Sequence, residues 1–202
     1  MLTINGRSTG AAFSDLERER LLKYYELVLK WNARLHLTTL TEPSQFFHRH
    51  IFESDFAETF ILPSSESLWD LGTGLGIPGI PVAILRPELV VNLVESRRGK
   101  VIFLEEVISA LSLTNARVVE SRIESIANLP SKTCLIARAV EHMEDVVFRM
   151  VFLGTGCRQM MFLGSEELGL LFQSKVKASF RVELIPIPES DRRFVISAES
   201  ST

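Results

Sequence analysis

The chain has 202 residues, 46% of them hydrophobic and 23% charged, with 22 Lys and Arg against 25 Asp and Glu for a formal net charge of -3. These proportions suit about one globular domain with a core that needs no staples. They exclude a wholly basic nucleic-acid coat protein, though not a local basic patch. No apolar run approaches the ~20 residues of a membrane span, and the opening MLTINGRSTG lacks an apolar signal core. Two cysteines, Cys134 and Cys157, make no disulfide framework. The expectation is a soluble, cytoplasmic protein.

The first sixty residues read as helices. Ser14-Asp-Leu-Glu17 has the spacing of a capping box, and Leu21, Tyr25, Val28, Trp31 and Leu35 then recur at helical steps. Thr41-Glu-Pro-Ser predicts a second helix start with Pro43 in its first turn, and Phe47, Ile51, Phe56 and Phe60 supply that helix's apolar side. The grammar changes at Ser64-Ser65-Glu66, which divides the chain into a helical extension over 1–63 and a main domain over 64–202. In the main domain, strands are predicted at Ser67 to Leu71, Leu89 to Glu95, Arg117 to Glu120, Cys134 to Val140 and Gln159 to Leu163. Helices between them are predicted from about Ile80 to Leu85, Gly99 to Leu111, Glu141 to Phe152 and Glu166 to Ala178. Alternation of this kind predicts a mostly parallel sheet with helices on both faces, an α/β fold. Two last strands, Arg181 to Ile187 and Arg193 to Ala198, follow without a helix between them, so one antiparallel strand is expected near an edge.

The strongest chemical signal is the loop Gly72-Thr-Gly-Leu-Gly-Ile-Pro-Gly79. It carries G-x-G-x-G on Gly72, Gly74 and Gly76 and, overlapping it, G-x-G-x-x-G on Gly74, Gly76 and Gly79. Glycine is required where the backbone bends sharply or a ligand comes closer than a Cβ permits, and the helix after the loop offers free amides. Glu95 ends the next strand, 23 positions after Gly72, where an acid can accept both hydroxyls of a ribose. Loop and acid together indicate a nucleoside cofactor without fixing the reaction; a dinucleotide enzyme and a nucleoside-sulfonium methyltransferase would both carry them.

Other clusters are weaker. His48 and His50 would point about 200° apart on a helix and cannot converge on one ion, and His50 with Glu53 is too small a ligand set, so no metal is expected. A surface face, or an Arg49-His50 pair lining a cleft, accounts for this segment. Cys134 and Cys157 read as small packing residues without a partner base. No base or nucleophile stands out, which disfavours hydrolysis and suits chemistry by positioning. Arg97, Arg98 and Lys100 open a helix whose N-terminus disfavours cations; they are either a solvated face or, with Arg49, phosphate contacts.

In order and spacing these residues resemble the RsmG (GidB) family of bacterial 16S ribosomal RNA guanine-N7 methyltransferases. Lys30-Trp31-Asn32 with Leu37-Thr38, Arg49-His50-Ile51 with Ser54, and above all Asp70 to Pro81 are similar to the family's signatures. Arg86-Pro87-Glu88, Glu95-Ser96, Phe103-Leu104, Ser121-Arg122-Ile123-Glu124 and Arg138-Ala139 follow in sequence. The resemblance covers nearly the whole chain. It implies a class I S-adenosylmethionine-dependent methyltransferase fold, Rossmann-like, with an N-terminal helical extension. It also implies cofactor contacts at Gly72, Gly74, Gly76, Ile77, Glu95, Ile123, Glu124 and Arg138. The implied partner is 16S ribosomal RNA or the small-subunit particle, with no membrane, no metal and a monomeric chain. Two positions depart from the family: Leu163 stands where a Lys is common, and Cys134 near where an acid is frequent. An NAD-dependent oxidoreductase fits less well, because 107 residues after Glu95 leave no room for a separate substrate domain. A non-catalytic RNA-binding factor has no need of a nucleoside pocket.

Overall fold

Helix α1 spans Asp15–Leu35 in the computed structural model, which describes residues 6–138, 143–154 and 156–200. Its capping box is formed: Ser14 Oγ accepts from the Glu17 amide, and the Glu17 carboxylate accepts from the Ser14 amide at 2.7 Å. Leu21, Tyr24 and Val28 are the residues it buries, with Tyr25, Trp31 and Leu35 half-buried beside them. Tyr24 is missing from the stripe expected from sequence, yet it is fully enclosed, and its hydroxyl donates to Leu75 O at 2.7 Å. Helix α1 is thereby tied to the glycine loop.

The second helical stretch is broken into three. Glu42 caps α2 (Pro43–Phe46) through the Ser44 and Gln45 amides, a π-helical turn covers Phe47–Phe52, and α3 runs over Glu53–Glu58. The sequence predicts one continuous helix here; the wider π turn is a feature that apolar periodicity does not encode. It buries Phe47, His50 and Ile51. Helix α3 buries three carboxylates, Glu53, Asp55 and Glu58, which is tolerable only because cations meet them. Arg7 pairs with Asp55 and Glu58, and Arg86 with Glu58.

Seven strands form one sheet in the order β3-β2-β1-β4-β5-β7-β6: β1 (Ser67–Leu71), β2 (Val90–Glu95), β3 (Ala116–Glu120), β4 (Thr133–Arg138), β5 (Gln159–Gly164), β6 (Phe180–Pro186) and β7 (Phe194–Ser200). Strands β1 to β5 pair in parallel, while β7 lies antiparallel between β5 and β6. The antiparallel strand is therefore next to the edge. The connecting helices are α4 (Gly79–Leu85), α5 (Arg98–Ala110), α6 (Met143–Gly154) and α7 (Glu166–Lys175). The ends of the strand and helix predicted across residues 139–142 lie outside the described residues.

Period-two alternation sorts the central strands onto two apolar layers. Leu68, Cys134, Ile136, Met161 and Leu163 join α1, α4 and α5 on one face, where the helices of the first sixty residues share the same cluster. Leu71, Leu135, Ala137, Met160 and Phe162 join α6 and α7 on the other. This double burial is why the strands read as unbroken apolar runs. Cys134 and Cys157 are buried free thiols, one in each layer. No helix among the described residues is long and apolar enough to cross a membrane.

At the end of β1, fully buried Asp70 closes the glycine loop. Its Oδ2 accepts from Thr73 Oγ1 at 2.5 Å and from the Gly79 amide at 2.9 Å, while Oδ1 is buried without a partner. Burial raises its pKa from 3.8 to about 6, against the opposing pull of these two donors and Arg138. Since the folded value lies above the unfolded one, the stability tied to the protonated form is complete below 3.8 and is lost as pH rises through about 6. Asp70→Asn cannot ionise and should lack this loss. In urea melts its stability relative to the wild type should rise by roughly 2–3 kcal/mol between about pH 4 and 7.5. A constant difference across that range would mean that Asp70 stays ionised throughout.

Candidate active site

The strand order reverses between β1 and β4, so the connections leaving their carboxyl ends turn to opposite faces and leave a crevice, the usual ligand position in an open α/β sheet. A cleft of about 530 Å³ opens there. The sequence-predicted residues Gly72, Gly74, Ile77, Glu95, Ile123, Glu124, Arg138, Arg49, Arg97 and Lys100 all line it; Gly76 and Arg98 do not.

The glycines have different tasks. Gly72 and Gly74 adopt left-handed φ angles of 71° and 61°, a conformation costly for other residues. The amides of Gly72 and Thr73 both donate to Val94 O at 3.0 Å, pinning the loop across β2. A Cβ on Gly74 would meet nothing nearer than Lys100 Nζ at 3.8 Å, so its open side faces the cleft. Gly76, at φ 98°, serves packing instead: a Cβ there would lie 2.5 Å from Ile80 Cγ1 and 3.1 Å from Leu104 Cδ2. The motif spacing alone does not separate these roles.

Glu95 is buried at the end of β2, and its Oε1 accepts from the Ser96 and Arg97 amides, each at 2.8 Å. Among the described residues its Oε2 accepts no hydrogen bond. The carboxylate is therefore oriented by one oxygen with the other available. Ile123 and Glu124 belong to a 3-10 turn, Ile123–Ser125, after β3. Arg98 leans away from the cleft to pair with Glu120 at 2.7 Å, both side chains well exposed.

The opposite wall comes from the first sixty residues. Asn32 clamps both backbone groups of Thr38, its Oδ1 accepting from Thr38 N and its Nδ2 donating to Thr38 O, each at 2.9 Å. This gives physical sense to an Asn and a Thr six residues apart. Thr38 Oγ1 then meets His50 Nε2 at 3.1 Å, while His50 Nδ1 lies 2.9 Å from Arg138 Nη1. A guanidinium can only donate, so Nδ1 is the acceptor and Nε2 carries the proton toward Thr38. Burial, then Arg138 and Arg49, lower the His50 pKa from 6.5 to about 3. The imidazole is neutral and fully engaged. His48 goes elsewhere, stacking on Phe52 and meeting Ser190 Oγ.

Arg138 holds the centre of this wall. Besides His50 it donates to Arg49 O at 2.7 Å and to Glu53 Oε2 at 3.3 Å, and burial lowers its pKa from 12.5 to about 10. Glu53 also receives Arg49 and Arg193. Arg193 is a contribution that the sequence does not signal; only the insertion of β7 beside β5 brings it to this end of the sheet. Among the described residues, six cations line the cleft (Arg49, Arg97, Lys100, Arg122, Arg138 and Arg193) against the two carboxylates of Glu95 and Glu124. A chain of net charge -3 thus has a positive cleft.

Known proteins match this architecture. The family described as GidB, rRNA small subunit methyltransferase G, matches residues 17–177. A curated relative, the ribosomal RNA small subunit methyltransferase G of Erwinia tasmaniensis, is 33% identical over 201 residues, 95% of each chain. That of Xanthomonas axonopodis pv. citri is 40% identical over 144 residues, 71% of this chain and 65% of the relative, just under two thirds of its length. Among solved structures, the magnesium protoporphyrin IX methyltransferase of Synechocystis PCC 6803 with bound SAM superposes with a TM-score of 0.62 at 10% identity, covering 94% of this chain and 99% of that one. TrmK of M. capricolum, in complex with S-adenosyl-homocysteine, gives a TM-score of 0.58 at 10% identity, covering 76% and 70%. At such identities the structural likeness speaks for the fold alone, that of the class I S-adenosylmethionine-dependent methyltransferases. The family match extends over most of the chain, both helical extension and sheet, and the chain belongs to the GidB family.

Proposed function

We propose that the chain transfers a methyl group from S-adenosylmethionine to N7 of a guanine in 16S ribosomal RNA. The observation that carries this reading is one cleft combining a left-handed glycine loop and an oriented carboxylate with a surplus of cations. The residues present fit the cofactor. Glu95 offers its second oxygen, which accepts no hydrogen bond from the described residues, to ribose hydroxyls. Ile123 and Glu124 border the adjoining space, and the open face of Gly74 leaves room beside the loop. When bound, the cofactor supplies an electrophilic methyl carbon on a sulfonium. The chain's own part is to align the acceptor with that carbon and exclude water, which is catalysis by proximity. Guanine N7 presents a lone pair without a proton to lose, and the cleft agrees: its imidazole is tied to Arg138 and Thr38 and stays neutral. A purely RNA-binding role would leave the Glu95 orientation and the glycine conformations without a task.

Binding tests the cofactor half of this reading. Gly74→Val must force a branched side chain into a left-handed backbone facing the cleft. Glu95→Ala removes charge-assisted hydrogen bonds worth about 1.5–3 kcal/mol. Both should weaken S-adenosylhomocysteine by at least tenfold or so in calorimetry, and unchanged affinity in both would remove the proposed site.

The pH profile tests the acceptor. His50 at about 3 and Arg138 at about 10 titrate outside the working range, and Asp70, at about 6, lies at its acid edge. Single-turnover methyl transfer at saturating RNA and cofactor should therefore be flat from about pH 7 to 8.5, with any inflection near 6 abolished in Asp70→Asn. A tenfold rise per pH unit across the flat window, or a product methylated on an exocyclic amine, would demand a general base and contradict N7 transfer.

The RNA half has an internal control. Lys100 lines the cleft and Arg98 does not, although both sit in the first turn of α5. Lys100→Gln should flatten the log–log salt dependence of RNA affinity by roughly 0.7–0.9, and Arg98→Gln should leave it intact. The reverse ranking would move the RNA path to the outer face of α5.

A further inference from the structure

Glu53 in α3 is the meeting point of three guanidinium groups. Its Oε1 accepts from Arg49 Nη1 at 2.5 Å, and its Oε2 lies 3.3 Å from Arg138 Nη2 and 3.4 Å from Arg193 Nη2. Ser190 Oγ also donates to Oε1 at 3.2 Å. One carboxylate thus faces three permanent cations, and the group is left with a surplus of two positive charges. Among the described residues, the neighbouring titratable groups do not cancel it. His50 is neutral and accepts from Arg138, and His48 is turned to Ser190. Asp70 feels Arg138 but spends its hydrogen bonds on the glycine loop.

The surplus is costly as it stands. Like charges at short range in a partly buried setting repel strongly, and Arg49 opposes the protonated forms of both Arg138 and Arg193. Acceptors are short as well as negative charge: Arg138 Nε and Arg193 Nε are buried without a partner. Arg138 is nearly enclosed, with 7% of its side chain exposed, while Arg193 keeps 17% and Arg49 35%. All three nevertheless line the cleft. Arg138 is the backing of the group, and Arg49 and Arg193 are its reachable face.

From this geometry we infer that Arg49 and Arg193, held in place by Glu53 and Arg138, form a subsite for one backbone phosphate of the RNA strand beside the target base. A planar guanidinium pair is suited to a tetrahedral oxyanion because each fork can place two donors on it. The position favours RNA over the carboxylate of the cofactor. Arg193 enters beside β7, four strands from Glu95 on β2 in the order β2-β1-β4-β5-β7, a separation of about 19 Å along the sheet. Glu95 and the point where Arg193 enters therefore lie on opposite sides of the β1–β4 switch point, with Arg138 between them. Arg193 thereby acquires a role in substrate binding, contributed by the hairpin that joins β6 to β7.

The subsite rests on the proposed RNA activity, and the test separates the two. Ribosomal RNA affinity of the full chain is measured against salt concentration, and S-adenosylhomocysteine affinity by calorimetry, for the wild type, Arg49→Gln, Arg193→Gln and the double variant. Loss of one phosphate contact in the double variant should weaken RNA binding by roughly tenfold or more at low salt and flatten the log–log slope by about 0.7–0.9. S-adenosylhomocysteine affinity should stay unchanged. Arg193→Lys should restore most of the slope, since the charge returns, but only part of the affinity, since the fork does not. If Arg193→Gln fails to fold, Arg49→Gln and Arg193→Lys carry the same readouts. An unchanged slope in folded variants would overturn the subsite and leave a structural tie between α3 and the hairpin. A fall in S-adenosylhomocysteine affinity without a slope change would reassign the group to the cofactor carboxylate. A wild-type chain that binds no RNA would overturn both the subsite and the functional reading.

Discussion

Two hydrogen bonds to one buried carboxylate oxygen set the shape on which the cleft depends. Asp70 Oδ2 draws Thr73 and the Gly79 amide toward the end of β1, so the loop between them must fold back within a few residues. That reversal forces left-handed φ at Gly72, Gly74 and Gly76 and launches α4 directly over the sheet. A Cβ on Gly79 would come within 2.2 Å of Leu93 Cδ2 and 2.8 Å of Asp70 Oδ2, so a substitute there must displace them. Tyr24 then braces the outside of the loop through Leu75 O. Loop, first helix and sheet face are thus interlocked, and a disturbance at Asp70 would reach all three.

Charge is the second organising constraint, and it acts locally rather than globally. The buried acids of α3 are matched on one side by Arg7 and Arg86, a pairing that leaves little net charge. On the other side Glu53 meets more cations than it can neutralise. Burying unbalanced charge costs more than burying a balanced pair, so the imbalance beside the cleft asks for a function where the balanced cluster asks for none. The neutral state of His50 fits the same logic: a proton added between Arg49 and Arg138 would deepen the imbalance. Keeping that ring unprotonated lets it accept from Arg138 and pass its own proton toward Thr38.

Much of this was legible in the sequence where the cause is local. The capping box at Ser14, the helix start at Pro43 and the strand–helix alternation depend on neighbours along the chain. So does the loop-to-acid spacing from Gly72 to Glu95, and each found its place. Contacts between segments far apart in sequence were not legible. Nothing in the apolar stripe of α1 distinguishes Tyr24 from Tyr25, because both lie within a helical turn of the same face; the choice is made by Leu75, some fifty residues later. The π turn at Phe47–Phe52 leaves no pattern of its own. G-x-G-x-G spacing likewise does not reveal that Gly76 serves α4 and α5 packing. Arg193 is an ordinary residue before a strand until β7 inserts next to β5.

The helical segment before the sheet is more than a cap on one apolar face. Leu37, Thr38 and Leu40 from the loop after α1, with Arg49 and His50 from the π turn, make up one wall of the cleft. The sheet supplies the glycine loop, Glu95 and the 3-10 turn, the features suited to a nucleoside. The helices supply Arg49 and a loop clamped by Asn32. Arg138 joins the two halves, since it rises from β4 yet spends its hydrogen bonds on Arg49, His50 and Glu53. The π turn sits at this seam: its wider turn presents the Arg49 carbonyl and the His50 ring toward one guanidinium while the flanking α-helical turns keep their apolar sides on the core. This wall of the cleft is therefore built by the same tertiary contacts that hold the extension to the sheet.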